Sequence, residues 1–248
     1  MAVQTKYFHT TKMHNMQSPR IIVEKVLEVM TPNSIVDFGC GLGTFLKAFK
    51  EKGINDVLGL DGDWVNRSLL EEYLDKNEFK VVDLESKIDC KIKYDLAISL
   101  EVAEHLSKEK ASIFVENLVN ASDVILFSAA VPFQGGQNHI NEQWIEFWQA
   151  EFSKHNYVFY DIIRKKLWND ENVKWWYKQN MFIVSCKENV FDKYYDSNSN
   201  LVLNLIHPEH YVLKTKEHID FRLGKSRTKE YLKLFIKSIL YNFWILKR

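Results

Sequence analysis

Apolar residues in "SPRIIVEKVLEVM" fall at Ile22, Val26 and Met30, one helical repeat apart. They predict a helix that Ser18 caps, Pro19 opens and Pro32 stops. Short apolar runs then alternate with helical patterns. "SIVDFG" predicts a first strand and "TFLKAFKEKG" a helix closed by Gly53, followed by the strand "DVLGLDGD" and the helix "VNRSLLEEYLDK". "FKVVDLES" and "YDLAISLE" predict the third and fourth strands, "SKEKASIFVENLVNA" a helix and "DVILFSAAVP" the fifth strand. "EQWIEFWQAEFSKHN" predicts another helix, and "YVFYDIIRKKLW" and "NMFIVSC" two more strands, seven in all. Such alternation predicts an α/β fold, a mostly parallel sheet with helices on both faces. Ligands on these sheets bind at the carboxyl ends of the strands. That rule selects Gly39–Gly43, Asp61, Asp83, Glu101 and the segment after Pro132.

From about Asn189 the pattern weakens, and it resumes in the final "TKEYLKLFIKSILYNFWILKR". The expected organisation is one domain over 1–188, with 1–18 as a lid, and a C-terminal extension over 189–248. Hydrophobic residues make up 46% of the chain, enough for a large core. Lys plus Arg and Asp plus Glu each number 33, so no overall positive field draws the chain to nucleic acid. Three cysteines, Cys40, Cys90 and Cys186, with no CxxC spacing argue against a disulfide framework and for a cytoplasmic setting. The first twenty residues hold no apolar stretch of the kind a secretory signal needs.

In "SIVDFGCGLGTFLKAF" the run ends in Asp37, and Gly39, Gly41 and Gly43 follow at alternate positions. Without a Cβ they permit a tight turn and close contact between backbone and ligand. A dinucleotide fingerprint would place its third glycine one position later, where Thr44 stands. Asp37 would repel a pyrophosphate and attract an ammonium. No Tyr-x-x-x-Lys pair follows the fourth strand, which further disfavours an NAD-dependent sugar-modifying enzyme.

"VDFGCGLGTFL" resembles the first motif of the class I S-adenosylmethionine-dependent methyltransferases. The resemblance implies a Rossmann-like fold with S-adenosyl-L-methionine as cofactor, its methionine and ribose parts against the glycine loop. It implies that Asp61 accepts the ribose hydroxyls, that Asp83 meets the adenine amino group and that Leu84 flanks the ring. Asp37 and Glu101 complete the expected cofactor-binding set.

"SLEVAEHLS" and "FSAAVPFQGGQNHINEQW", taken with "MHNMQSPR", "LDGDW" and "WWYKQN", resemble a methyltransferase subgroup found with bacterial capsule and O-antigen glycan biosynthesis. The implied reaction is O-methylation of a sugar hydroxyl, on a nucleotide-linked sugar or a glycan. A sugar hydroxyl is a weak nucleophile and gains from a base or a metal at its oxygen. His139, after the Gly135-Gly136 pair, is the expected base, since an unperturbed imidazole pKa of about 6.5 suits proton transfer near neutrality. Glu104 and His105 join it as the catalytic set. If a helix starts after Leu100, Glu101, Glu104 and His105 share one face. With His139 they would then suit a divalent cation, as in the similar Glu-x-x-Glu-His string of small-RNA 3′-end methyltransferases. A nucleic-acid acceptor is the alternative this string supports. Among the aromatic residues, Trp144 and Trp148 are four apart and expected on one helix face; most of the group is expected in the core, with one or two near His139 against the substrate.

Tyr7, His14 or Arg20 in the N-terminal segment is a candidate to reach the cofactor carboxylate. In the last helix Leu232, Phe235, Ile236, Ile239, Leu240 and Phe243 repeat at helical spacing among lysines. Packing on its own domain, a homo-oligomer contact and peripheral contact with the inner face of a membrane all remain open for it.

Overall fold

A computed structural model describes residues 15–186, 190–191, 194 and 203–245. Tyr7 and His14 lie outside the described residues, as does most of the expected lid. The chain divides into two compact units, the first ending at His207 and the second beginning at Pro208.

The first unit is a seven-stranded sheet. Its strands are β1 (Ser34–Phe38), β2 (Asp56–Asp61), β3 (Phe79–Val81), β4 (Leu96–Leu100), β5 (Val124–Ser128), β6 (Val158–Tyr160) and β7 (Phe182–Ser185). Their spatial order is β3-β2-β1-β4-β5-β7-β6. β1 through β5 pair in parallel, while β7 runs antiparallel to both β5 and β6. Every residue of β4 and β5 is buried, because helices cover both faces at the middle of the sheet.

The period-two alternation of the strands sorts their side chains into two cores. Ile35, Ile98, Leu126 and Ile183 pack with α1 (Gln17–Leu27), α2 (Thr44–Glu51) and α6 (Ile163–Leu167). Val36, Ala97, Ile125, Phe127 and Val184 face the other way, onto α4 (Ala111–Ala121) and α5 (Ile145–Ser153). The remaining helices of this unit are short: α3 (Arg67–Leu70) and α7 (Trp175–Asn180).

Several expectations need correction. Ser18 does not cap its own helix; its hydroxyl accepts from the Lys174 N–H at 3.1 Å, and the Asn15 side chain accepts from the Gln17 N–H instead, at 3.0 Å. The run "YVFYDIIRKKLW" is not one strand. β6 stops at Tyr160, and α6 begins because Asp161 and Arg164 pair three residues apart, through contacts of 2.9 and 2.8 Å. Trp144 and Trp148 do not share a helix face. Trp144 precedes α5 in extended backbone and is exposed, while Trp148 is fully buried. The first unit continues past residue 188, since the Leu203 carbonyl accepts from Arg164 Nη1 at 2.9 Å and the His207 N–H donates to Gln179 Oε1 at 2.9 Å.

The second unit comprises α8 (Pro208–Arg222), which the sequence pattern does not reveal, and α9 (Thr228–Ile245). No described helix is long and apolar enough to cross a membrane. All three cysteines are free.

Candidate active site

Gly39, Gly41 and Gly43 all adopt left-handed backbone, with φ of 86°, 54° and 80°. The loop they form is closed over β2: the Gly39 N–H donates to the Leu60 carbonyl at 2.7 Å. At Gly39 the requirement is also steric, because a Cβ there would lie 2.5 Å from Val102 Cγ2, in the loop after β4. Gly39 thus lets the ends of β1 and β4 meet.

Asp61, at the end of β2, is buried and accepts from the Gly41 N–H at 2.8 Å and from the Gly62 N–H at 2.7 Å. Its carboxylate is therefore what orders the glycine loop, and each oxygen keeps a second lone pair. Burial raises its pKa despite those two donors. Asp37 is buried one strand away, and its pKa is raised well above the ordinary carboxylate range by burial and then by the Asp61 charge. Two such groups create a demand for a cation or a proton between β1 and β2.

Asp83 is placed differently from Asp61. It is exposed and caps the turn after β3, accepting from the Glu85 N–H at 3.0 Å and the Ser86 hydroxyl at 2.7 Å. Leu84 is buried in the core beneath α4. Arg20 is also engaged elsewhere, in a two-pronged ion pair with Glu51 at 2.7 and 2.8 Å.

The end of β4 carries the second half of the site. No helix starts at Glu101; instead Glu101 has left-handed backbone with φ of 56°, followed by a short 3-10 turn over Ala103–His105. Glu101 therefore does not share a helix face with Glu104 and His105. Its N–H is held by the Ser128 carbonyl and hydroxyl, both at 3.1 Å. Its carboxylate accepts from Gln134 Nε2 at 2.8 Å and from Asn180 Nδ2 at 3.1 Å. Burial lifts its pKa to about 7 against the pull of these donors. The amides are themselves linked, Asn180 Nδ2 donating to Gln134 Oε1 at 2.9 Å. Gln134 and Asn180 are not distinguished by the sequence; they are generic amides on a loop and on α7 that only the fold brings to Glu101.

Glu104 is completely buried, and among the described residues neither of its carboxylate oxygens is in hydrogen-bonding geometry with a partner. Burial, then the Glu101 charge, raises its pKa well above the usual range. Its backbone carbonyl accepts from the N–H groups of Ile140 and Asn141 at 2.9 and 3.0 Å, which fixes the loop after β5 against the turn after β4. His139 comes with that loop, and its Nε2 lies 3.9 Å from Glu104 Oε1. The His105 and His139 rings meet edge to face at 4.9 Å. Burial, then His139, lowers the His105 pKa to about 4, so that its imidazole is neutral near pH 7. Glu104, His105 and His139 each offer one ligand atom within 4.8 Å of the others.

Glu142 holds His139 in place. Its Oε1 lies 2.9 Å from His139 Nδ1 and accepts from the Gly135 N–H at 2.6 Å, and its Oε2 accepts from the Phe133 N–H at 2.8 Å. A carboxylate oxygen only accepts, so Nδ1 is the donor to Glu142, and in the tautomer with the single ring proton there Nε2 keeps a lone pair. Gly136 makes room for it, since a Cβ there would lie 2.1 Å from Nε2. The His-x-x-Glu spacing was the available signal for Glu142. On the rim of the same loop, Phe133, Ile140 and Trp144 are 84%, 68% and 42% exposed.

A family profile described as "Methyltransferase domain" matches residues 14–156. No curated protein matches the chain. Among solved structures the chain is similar to CalS10, an amino pentose methyltransferase from Micromonospora echinaspora, with 11% identity and a TM-score of 0.52 over 74% of this chain and 99% of that one. It is also similar to the methyltransferase domain of bacterial CtHen1, with 21% identity and a TM-score of 0.48 over 69% and 98% of the two chains. The plantazolicin methyltransferase BpumL gives 15% identity and a TM-score of 0.49 over 72% and 87%. The strand order with its antiparallel β7, and the likeness to CalS10, establish the Rossmann-like class I methyltransferase fold. With more than half of its length matched by the profile, the chain belongs to the methyltransferase domain family.

Proposed function

We propose that the protein is an S-adenosylmethionine-dependent O-methyltransferase acting on a sugar hydroxyl, with His139 as general base. The observation that carries this reading is the His139–Glu142 pair, in which Nδ1 lies 2.9 Å from Glu142 Oε1 and Nε2, 3.9 Å from Glu104 Oε1, is the ring nitrogen left for an acceptor. Family membership supports methyl transfer. The sugar rests on the resemblance of "SLEVAEHLS" and "FSAAVPFQGGQNHINEQW" to glycan-pathway methyltransferases and on the aromatic rim of Phe133 and Trp144.

When bound, S-adenosylmethionine supplies an electrophilic methyl group on a sulfonium and leaves as a neutral thioether. The residues suit it. The left-handed glycine loop carries no Cβ to hold a ligand away from its main chain, Asp61 retains lone pairs for a ribose diol, and the buried Asp37 carboxyl would meet an ammonium. Position and alignment then account for much of the rate. His139 Nε2 would take the acceptor's hydroxyl proton, Glu142 would stabilise the resulting imidazolium, and neutral His105 would orient the acceptor.

A screen of nucleotide-linked sugars with a labelled methyl donor, read by mass spectrometry, tests the assignment. One added methyl group on a sugar is expected, with at least about a hundredfold loss of turnover in His139→Ala. Methylation of nucleic acid alone would replace the sugar reading. Stabilisation by NAD but not by S-adenosylhomocysteine would remove the cofactor assignment.

One observation favours a second reading. Among the described residues neither oxygen of the buried Glu104 is in hydrogen-bonding geometry with a partner, and two imidazoles stand beside it. Glu104, His105 and His139 fit a divalent cation, and a carboxylate behind a ligating histidine, here Glu142, is a usual companion of such sites. A cation there would lower the pKa of the acceptor hydroxyl directly. Mn²⁺ binding followed by paramagnetic resonance, together with turnover in chelator, separates the two: tight binding and chelator-sensitive turnover make His139 a ligand, and full turnover in chelator leaves it the base.

A further inference from the structure

Charge is balanced over the whole chain but not along it. Residues 208–248 hold ten Lys or Arg against four Asp or Glu, whereas residues 1–207 hold 23 against 29. The positive excess coincides with exposed apolar side chains. On α9, Leu232, Phe235, Ile236, Ile239 and Leu240 follow the spacing of a single helix face. They are 59%, 63%, 49%, 39% and 64% exposed. Lys229, Lys233 and Lys237, four residues apart, run exposed along the flank of that stripe. Glu230 sits among them, 3.8 Å from Lys233. Val212 and Ile219 of α8, and Leu223 just after it, are also exposed.

The stripe is not what closes the helical pair. Tyr231, outside the stripe, stacks on Phe221 with ring centres 4.6 Å apart, and its hydroxyl donates to the Phe221 carbonyl at 2.7 Å. A protein groove would satisfy the apolar stripe alone. The row of lysines beside it calls for negative charge at the border of an apolar phase, which is the chemistry of an anionic phospholipid surface. We propose that the α8–α9 unit docks on an anionic bilayer, with the α9 stripe at the headgroup–acyl boundary and Lys229, Lys233 and Lys237 against the phosphates.

Cosedimentation of the full-length protein with phosphatidylcholine vesicles, with and without phosphatidylglycerol, tests this. Binding to the anionic vesicles is expected to exceed binding to the neutral ones by about tenfold or more. Added salt should weaken it. Phe235→Asp/Leu240→Asp should abolish binding, and Lys229→Glu/Lys233→Glu/Lys237→Glu should abolish the preference for anionic lipid. An unchanged urea transition in both variants shows that the first unit stays folded. Failure of the wild-type protein to sediment, or equal binding by wild type and variants, overturns the proposal. So does a dimer in light scattering that Phe235→Asp/Leu240→Asp dissociates while the wild type ignores vesicles; the stripe would then be a contact between two copies of the chain.

Discussion

Glu142 uses both carboxylate oxygens inside one loop, on His139, Gly135 and Phe133. In Glu142→Gln one of those acceptors becomes a donor, which faces either a backbone N–H or the imidazole N–H. The expected result is a 10- to 100-fold fall in kcat. The KM for S-adenosylmethionine should stay the same, as measured by steady-state kinetics. Gly136→Ala isolates the steric part: the added methyl group meets His139 Nε2, so activity should fall while the melting temperature changes little. His139, Glu104 and His105 were legible in the sequence because imidazoles and acids beside a glycine pair or at a strand end carry distinctive chemistry. Glu142 carried only its spacing from His139, and Gln134 and Asn180 carried nothing. Their side chains are chemically ordinary until β5, α7 and the loop after β4 converge. Asp83 shows how one pattern carries two meanings, since an acid after a strand serves equally well as a turn cap, and this one caps its turn.

At the scale of elements, apolar periodicity located the five parallel strands, and β4 and β5, buried on both faces, leave the plainest signal. It failed where a polar pair overrides the apolar run. Asp161 and Arg164 turn "YVFYDIIRKKLW" from a strand into a strand and a helix, and Arg164 is almost wholly buried over the Phe182 ring, its carbon 4.2 Å from the centroid. Arg164 also bonds the carbonyls of Gln179 and Leu203, so it joins α6, α7 and the segment leading to His207. Arg164→Ala would leave Asp161 buried and unpaired, and a loss of about 3–5 kcal/mol in urea denaturation is expected. Replacing both residues with apolar ones of similar size should cost less than the single change. α8 escaped the pattern because its apolar residues scatter around the helix instead of forming one stripe.

For the whole molecule, the site lies along one edge of the sheet, and that edge concentrates carboxyl groups whose pKa values are raised by burial. Asp37, Asp61, Glu101 and Glu104 all shift upward, Glu101 from 4.5 to about 7. The folded chain therefore holds protons that the unfolded chain releases, and stability is lost as pH rises through this window. His105, lowered from 6.5 to about 4, acts in the opposite sense, but only below 6.5. In chelator, the melting temperature should thus fall as pH rises above 6.5, and Glu101→Gln should flatten the slope. The sheet order has a consequence for synthesis as well. β7, the last of the described strands to be made, is the one that sits between β5 and β6. A nascent chain that has left the ribosome only as far as α7 has its five parallel strands in place and the β5 border bare. Until residues 182–185 emerge, that border is an open template for any extended peptide, so chains truncated there should be held by chaperones or aggregate.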